Sequence, residues 1–202
     1  MASASGDRSG SVRVRRTVRG DLPEVVAMIQ ELADFEKMPA GPQLTVEDLE
    51  RDGGFLDGQR SCPDGPVFHS FVLELQHDPP GDANQKPSTS TPADCSGGPL
   101  TRKLIGYAIC FYSYSTWQGK SLALEDIYIR PQYRRHGYGE HFFKALARHA
   151  RDNHCSRIDF HVLDWNPATS FYRRMGALDL TEAESWHFYR LPKDAIVALC
   201  DE

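Results

Sequence analysis

No run of about 18 uninterrupted apolar residues, the length a membrane-crossing helix requires, occurs anywhere in the chain. The opening residues, MASASGDRSG, also lack the apolar stretch of a secretory signal, so a soluble cytoplasmic protein with no membrane partner is expected. A basic excess is absent too. The 23 Lys and Arg stand against 28 Asp and Glu, and a net charge of −5 supplies no overall field for gripping phosphate backbones, which argues against nucleic acid as a partner. Cysteines are odd in number and scattered (Cys62, Cys95, Cys110, Cys155, Cys200), without a C-x-x-C pair, as free thiols in a reducing compartment would be. The histidines form no H-E-x-x-H or comparable ligand spacing, so no metal is expected. The remaining composition, 40% hydrophobic and 25% charged over 202 positions, is that of one globular domain long enough to bury a core.

Residues 1–11 are small and polar and read as a disordered N-terminus; the fold begins near Val12, where valines alternate as in a half-buried strand. Asp21-Leu22-Pro23-Glu24 reads as an N-cap with a capping-box glutamate, and Val25, Met28, Ile29 and Leu32 continue at helical spacing, predicting a helix to about Glu36. A short helix capped by Thr45 and ended by Gly53-Gly54 precedes a strand over Phe68 to Leu75. From about 77 to 102 the chain holds almost nothing apolar and reads as a disordered insertion between two strands of one domain spanning 12–200. Strands over Leu104 to Tyr114 and Leu122 to Ile129 flank a Gln118-Gly119 hairpin turn. A helix over Gly139 to Asn153, a strand over Ile158 to Leu163, a short helix from Pro167 to Arg174 and a last strand over Trp186 to Leu191 complete the chain. This order suggests an α/β fold, a mixed sheet with helices on its faces.

The densest chemical signal is Arg134-Arg135-His136-Gly137-Tyr138-Gly139, placed between a strand and a helix. Glycines allow close backbone approach, and the amide N–H groups and dipole of a helix N-terminus favour an anion such as pyrophosphate. The Lys-Ser/Thr ending of a Walker loop and the third glycine of a dinucleotide fingerprint are both missing, which weakens ATP and NAD as ligands.

This loop resembles the R-x-x-G-x-G acetyl-coenzyme A loop of the Gcn5-related N-acetyltransferase (GNAT) superfamily. More narrowly, from about Val12 to Leu191 the chain is similar to the diamine acetyltransferase family, on Glu31-Leu32-Ala33-Asp34-Phe35-Glu36, Tyr114-Ser115-Thr116-Trp117, Leu124-Glu125-Asp126-Ile127-Tyr128, Leu163-Asp164-Trp165-Asn166, Phe171-Tyr172 and Asp179-Leu180-Thr181-Glu182. Ser115-Thr116, where the polyamine branch carries an acid and a proline, and Leu180 to Glu184 with Trp186-His187-Phe188 look closer to the thialysine branch. The resemblance implies a splayed sheet of about seven strands that holds acetyl-CoA, a small amine acceptor and a homodimer. It implies that Ile127, Tyr128 and Ile129 hold the pantetheine arm, and that the loop from Arg134 through Arg135, His136, Gly137, Tyr138 and Gly139 to Glu140, together with Asn166, contacts the coenzyme. It makes Glu125 the group that helps draw a proton from the amine and Tyr172 the donor to the departing thiolate, with Phe35, Glu36, Asp126 and Glu184 lining the amine side.

The chemistry asks for such residues independently. An alkyl ammonium has a pKa near 10.4, so baring its lone pair at neutral pH costs about 4 kcal/mol and calls for a carboxylate or a water chain to accept the proton. Strand alternation would put Glu125 and Asp126 on opposite faces. The chain departs from the family at Asn166, which lies six positions before Tyr172 where the family usually has seven; either the helix after Pro167 starts differently or Asn166 loses its coenzyme contact. Two other functions fit the same residues: acetylation of protein or peptide amines, and a catalytically weak acetyl-CoA-binding interaction module.

Overall fold

The computed structural model describes residues 11–56, 65–77 and 101–200. The chain divides into two compact units, 1–161 and 162–202. In the first unit five strands, β1 (Ser11–Arg16), β2 (His69–His77), β3 (Thr101–Ser115), β4 (Gly119–Ile129) and β5 (Ile158–Phe160), form one sheet in sequence order. β1 to β4 are antiparallel neighbours, and β5 is parallel to β4. Helices α1 (Leu22–Phe35) and α2 (Val46–Asp52) cover one face, where Leu22, Val25, Met28 and Leu49 pack with Val72, Tyr107 and Tyr128. Helix α3 (Tyr138–Asp152) covers the other, packing Phe142, Leu146 and Ala150 onto Leu73, Ile105, Cys110 and Leu122. The mixed sheet with helices on both faces is therefore present.

The expected disordered stretches fall largely outside the described residues, but their edges are ordered. Ser11 pairs with Gln76, and His77 pairs with Thr101, because ladder hydrogen bonds extend past the last apolar residue. Asp21 does not cap α1: its own backbone is already helical (φ −84°, ψ −19°), and its carboxylate accepts from Arg15 at 2.6 and 3.0 Å and from the Val18 N–H. Thr45 does cap α2, accepting from the Asp48 N–H. The hairpin turn lies as expected, with Gly119 at φ +84° opposite Ser115.

The second unit holds α4 (Ala168–Arg174), α5 (Leu180–Glu184) and α6 (Lys193–Cys200). Two expected strands differ. The strand from Ile158 ends at Phe160 rather than Leu163, and residues 186–191 form no regular element, so the described residues carry five strands where about seven were expected. Residues 186–191 pair with no strand among the described residues, and Trp186 and Tyr189 are 57% and 85% exposed. No helix among the described residues is long and apolar enough to cross a membrane.

Candidate active site

The site in the first unit is built at the C-terminal half of β4. The β3–β4 register runs Ile109↔Asp126 and then Cys110↔Leu124, so Glu125 is an extra residue, a β-bulge. Leu124 packs on the α3 face, whereas Tyr128 and Tyr107, whose hydroxyl donates to Asp126 at 2.9 Å, pack on the α1 face. Simple alternation would put positions 124, 126 and 128 on one side. The bulge breaks that phase between Leu124 and Asp126 and turns the Asp126 carboxylate to the α1 face, while Glu125 is exposed.

Burial pushes the Asp126 carboxyl up to about 6; the Tyr107 hydroxyl bond pulls the other way, and the neighbouring charges of Glu125 and Glu36 add to the rise. Burial also raises the Glu36 carboxyl. Three of the expected amine-side acids, Glu36, Glu125 and Asp126, are thus electrostatic neighbours. A raised folded pKa means that the fold prefers the neutral acid, so this group lowers stability progressively as pH rises from about 4 to about 6 and keeps that cost above. Asp126→Asn, which retains an acceptor for Tyr107, should therefore raise the melting temperature at pH 7 and change it little at pH 4. Thermal melts across that range check this, and an equal or lower melting temperature at pH 7 would contradict it.

β5 pairs with β4 only from Leu122 to Leu124, so no strand of the described residues flanks the last part of β4. Arg130 N donates to Ile105 O, and by the two-residue period the N–H and C=O groups of Ile127 and Ile129 point away from β3. The Ile127 N–H and C=O and the Ile129 N–H form an edge to which an extended ligand bearing amides can hydrogen-bond, the Ile129 carbonyl being taken by Arg134. Arg134 does not reach along the loop. Its Nε donates to Ile129 O at 2.7 Å, and its guanidinium lies over the rings of Phe35 and Tyr128 at 5.3 and 5.4 Å, tying the end of α1 to the end of β4. Arg130 adds a second tie, pairing with Glu24 and Glu31 and donating to Leu104 O, while the Tyr128 hydroxyl also donates to Glu31.

The glycine loop then turns into α3 through Arg135 at φ +68° and Gly137 at φ +77°. The His136 and Tyr138 rings stack at 5.5 Å, and Glu140 pairs with Lys144. The first helical bond runs from His141 N to Gly137 O, so the N–H groups of Arg135, His136, Gly137, Tyr138 and Gly139 have no acceptor among the described residues. A Cβ built at Gly137 meets nothing within 4 Å. These unsatisfied donors beside open space, with Arg135 among them, suit a pyrophosphate, and the Ile127–Ile129 edge suits an amide-bearing arm.

In the second unit Tyr172 lies on α4, its ring edge-on to Phe171 at 5.1 Å, and burial pushes its phenol up to about 12. Asn166 Oδ1 accepts from the Ala168 N–H, so the α4 helix starts after Pro167 and the Asn166 oxygen is occupied in the turn. Glu184 accepts from the Trp186 indole at 2.6 Å. The arginine pair after Tyr172 is partly committed as well, with Arg173 bound to Asp179 and Glu182. Tyr107, the partner of Asp126, and Arg130, which ties β4 to α1, carry no mark in the alternation or the motifs. Among the described residues no cluster of three or more His, Cys, Asp or Glu is arranged to hold a metal.

A strand edge open to an amide-bearing ligand, next to a turn of free amides at a helix start, is a site suited to a phosphate-bearing cofactor with an amide arm, and the comparisons give the class of protein. Residues 67–177 match the acetyltransferase (GNAT) family, to which the chain belongs; it is an acetyltransferase, and enzymes of this family use acetyl-CoA as co-substrate. The chain is similar to the thialysine N-epsilon-acetyltransferase of Sus scrofa, 35% identical over 187 residues that cover 92% of this chain and 95% of that protein. It is similarly related to the thialysine N-epsilon-acetyltransferase of Caenorhabditis elegans, 32% identical over 92% and 96% of the two chains. The spermidine/spermine N(1)-acetyltransferase-like protein 1 of Homo sapiens is 33% identical over 94% of this chain but only 24% of its own length. Among solved structures, a V. cholerae integron cassette protein has the same fold at a TM-score of 0.61 and 17% identity, covering 95% of this chain and 99% of its own. A soil metagenomic aminoglycoside acetyltransferase follows at 0.58 and 15%, covering 90% and 97%.

Proposed function

We propose that the chain moves an acetyl group from acetyl-CoA to a small primary amine, thialysine-like or a diamine or polyamine. The observation that carries this reading is the grouping of Asp126, Glu36 and Glu125 around the bulge in β4, next to the strand edge and amide turn that suit the acyl donor. Carboxylates that feel one another's charge repel, and a cation placed near them relieves that repulsion, so an ammonium is drawn to the site and Asp126 ionises as it binds. The names of the relatives point to amines of the same kind.

Bound acetyl-CoA supplies an activated acyl thioester. On this reading Ile127 and Ile129 hold the pantetheine amides, and the N–H groups of Arg135 to Gly139 hold the pyrophosphate. Asp126 and Glu36 orient the ammonium, Phe35 walls it, and Glu125 draws off its proton through water. Tyr172 retains its proton at Oη throughout the neutral range, as its raised pKa allows, and gives it to the leaving sulfur. Glu184 closes the amine side, although its carboxylate must first leave Trp186. Attack is direct, without an acetyl-enzyme. Cys110, the buried thiol, is pushed up to about 12 by its surroundings and is a poor nucleophile. The enzyme works as a homodimer, for which the exposed apolar side chains of the second unit, among them Phe188 and Leu199, offer surface to cover. We place it in the cytoplasm, in keeping with free thiols at Cys110, Cys155 and Cys200.

A thiol-release assay on thialysine, spermidine and a lysine-containing peptide tests the reading. Turnover of the small amines above the peptide supports it. The reverse order would move the function to protein acetylation, and coenzyme binding without turnover of any acceptor would leave a binding module. The coenzyme half has its own check. Gly137→Ala forces a Cβ into a left-handed turn at a cost of about 1–2 kcal/mol and puts a methyl into the open space beside the loop that the proposed pyrophosphate would occupy. Its dissociation constant for acetyl-CoA should rise about tenfold by calorimetry, with the fold intact; unchanged affinity would take the loop out of the site.

A further inference from the structure

β1 is an edge strand, and the groove between it and α3, a cavity of about 560 Å³, is remote in the sheet order from the β4 site. Thr17 N donates to Ser70 O, which sets the phase of the β1–β2 ladder: the N–H and C=O groups of Val12 and Val14 point away from β2, where no other strand of the described residues lies. The Val12 and Val14 side chains pack on the α3-side core, so the groove floor is apolar. Its walls are cationic. Arg13 and Arg148 have no carboxylate partner among the described residues, Arg16 lies against Phe71 and His69, and His141 and His149 line the helix side. Arg15 is neutralised by Asp21 and Glu74, and the one acid of the lining, Asp152, is paired with Arg151. A chain of net charge −5 thus concentrates unpaired positive charge along a strand edge whose hydrogen bonds are unmade.

We propose that this groove is a docking site for an extended acidic segment of another protein, which adds to the sheet as a strand along β1. The backbone of the segment takes the free Val12 and Val14 groups, its small apolar side chains rest on the valines, and its alternate carboxylates, on the opposite face of the sheet, meet Arg13, while Arg16 and Arg148 add positive charge on the valine side. A second copy of this chain fits poorly, because pairing β1 with itself sets Arg13, Arg15 and Arg16 of one copy against those of the other. A nucleic acid would satisfy the charges, but its sugar-phosphate backbone has no alternating N–H and C=O groups to pair along Val12 and Val14 as a strand does.

The test is fluorescence anisotropy of the full chain with a labelled Thr-Glu-Val-Asp-Val-Glu-Thr peptide. Controls are the peptide with lysine for each acid, and the acidic peptide N-methylated at every residue so that neither of its edges can pair as a strand. The acidic peptide should bind, the lysine peptide should not, and N-methylation should weaken binding at least tenfold on the unaltered protein. Combined Arg13→Glu and Arg148→Glu should weaken it at least tenfold while acetyl transfer continues. Equal binding of the N-methylated peptide, indifference to the charge reversal, full competition by a single-stranded oligonucleotide of the same charge, or self-association lost on charge reversal would each overturn the proposal.

Discussion

Replacing Tyr172 with phenylalanine should lower turnover by about 10²- to 10⁴-fold, the range of a general acid, while leaving the affinities for acetyl-CoA and amine close to their original values. The edge-on packing of the ring against Phe171 is kept, and only the hydroxyl is lost. A phenol pushed up to about 12 keeps its proton at pH 7 to 9.5, so the defect should be uniform across that range. Glu125→Gln should behave otherwise. If the carboxylate helps deprotonate the ammonium, part of the lost rate should return as the pH approaches the pKa of the amine itself. Steady-state kinetics of both variants separate the roles. Near-normal turnover of Tyr172→Phe would remove the acid assignment, and equal, pH-independent losses would remove the division of labour.

Gly106→Ala should be the most damaging small substitution in the sheet. Gly106 pairs with Leu73 on one side and Ile129 on the other, and a Cβ built there lies 2.5 Å from Tyr128 O and 3.1 Å from Ile129 Cγ1. The nearest obstacle is backbone, so β4 itself must move. Overpacking of this kind costs about 1–3 kcal/mol, or several degrees of melting temperature in a chain of this size. The strand forced outward is the one proposed to hold the pantetheine arm, so the KM for acetyl-CoA should rise together with the loss of stability. Gly20→Ala, where the added Cβ meets nothing within 4 Å, serves as the control and should melt like the parent. A Gly106→Ala protein as stable as the control would show that the β3–β4 contact yields easily.

The parts of this protein that local chemistry dictates are legible without a structure. The apolar stripe of α3 requires a helix packed on one face; the glycines of the 134–139 loop mark a turn with positive φ; and such a turn before a helix exposes amide donors whatever lies around it. The acetyltransferase family follows from these residues and the motifs beside them. What depended on residues distant in the chain was not legible. Trp186 to Leu191 is rich in strand-forming aromatics but pairs with no strand among the described residues, so local composition predicted an element that pairing did not supply. Asp21 has the residue type and spacing of a cap, yet Arg15 across the chain reversal takes its carboxylate.

At the site the same distinction holds. The sequence by itself determined which acids are present and that Glu125 and Asp126 are adjacent, because composition and order are local facts. Only the tertiary structure decided where they point. The β3–β4 register skips Glu125, reverses the phase of the strand, delivers Asp126 to Tyr107 and turns Arg134 back onto Ile129. Side-chain direction in a strand follows from its pairing with the neighbouring strand, and a bulge is set by the fit between two segments, so no reading of one segment alone contains it.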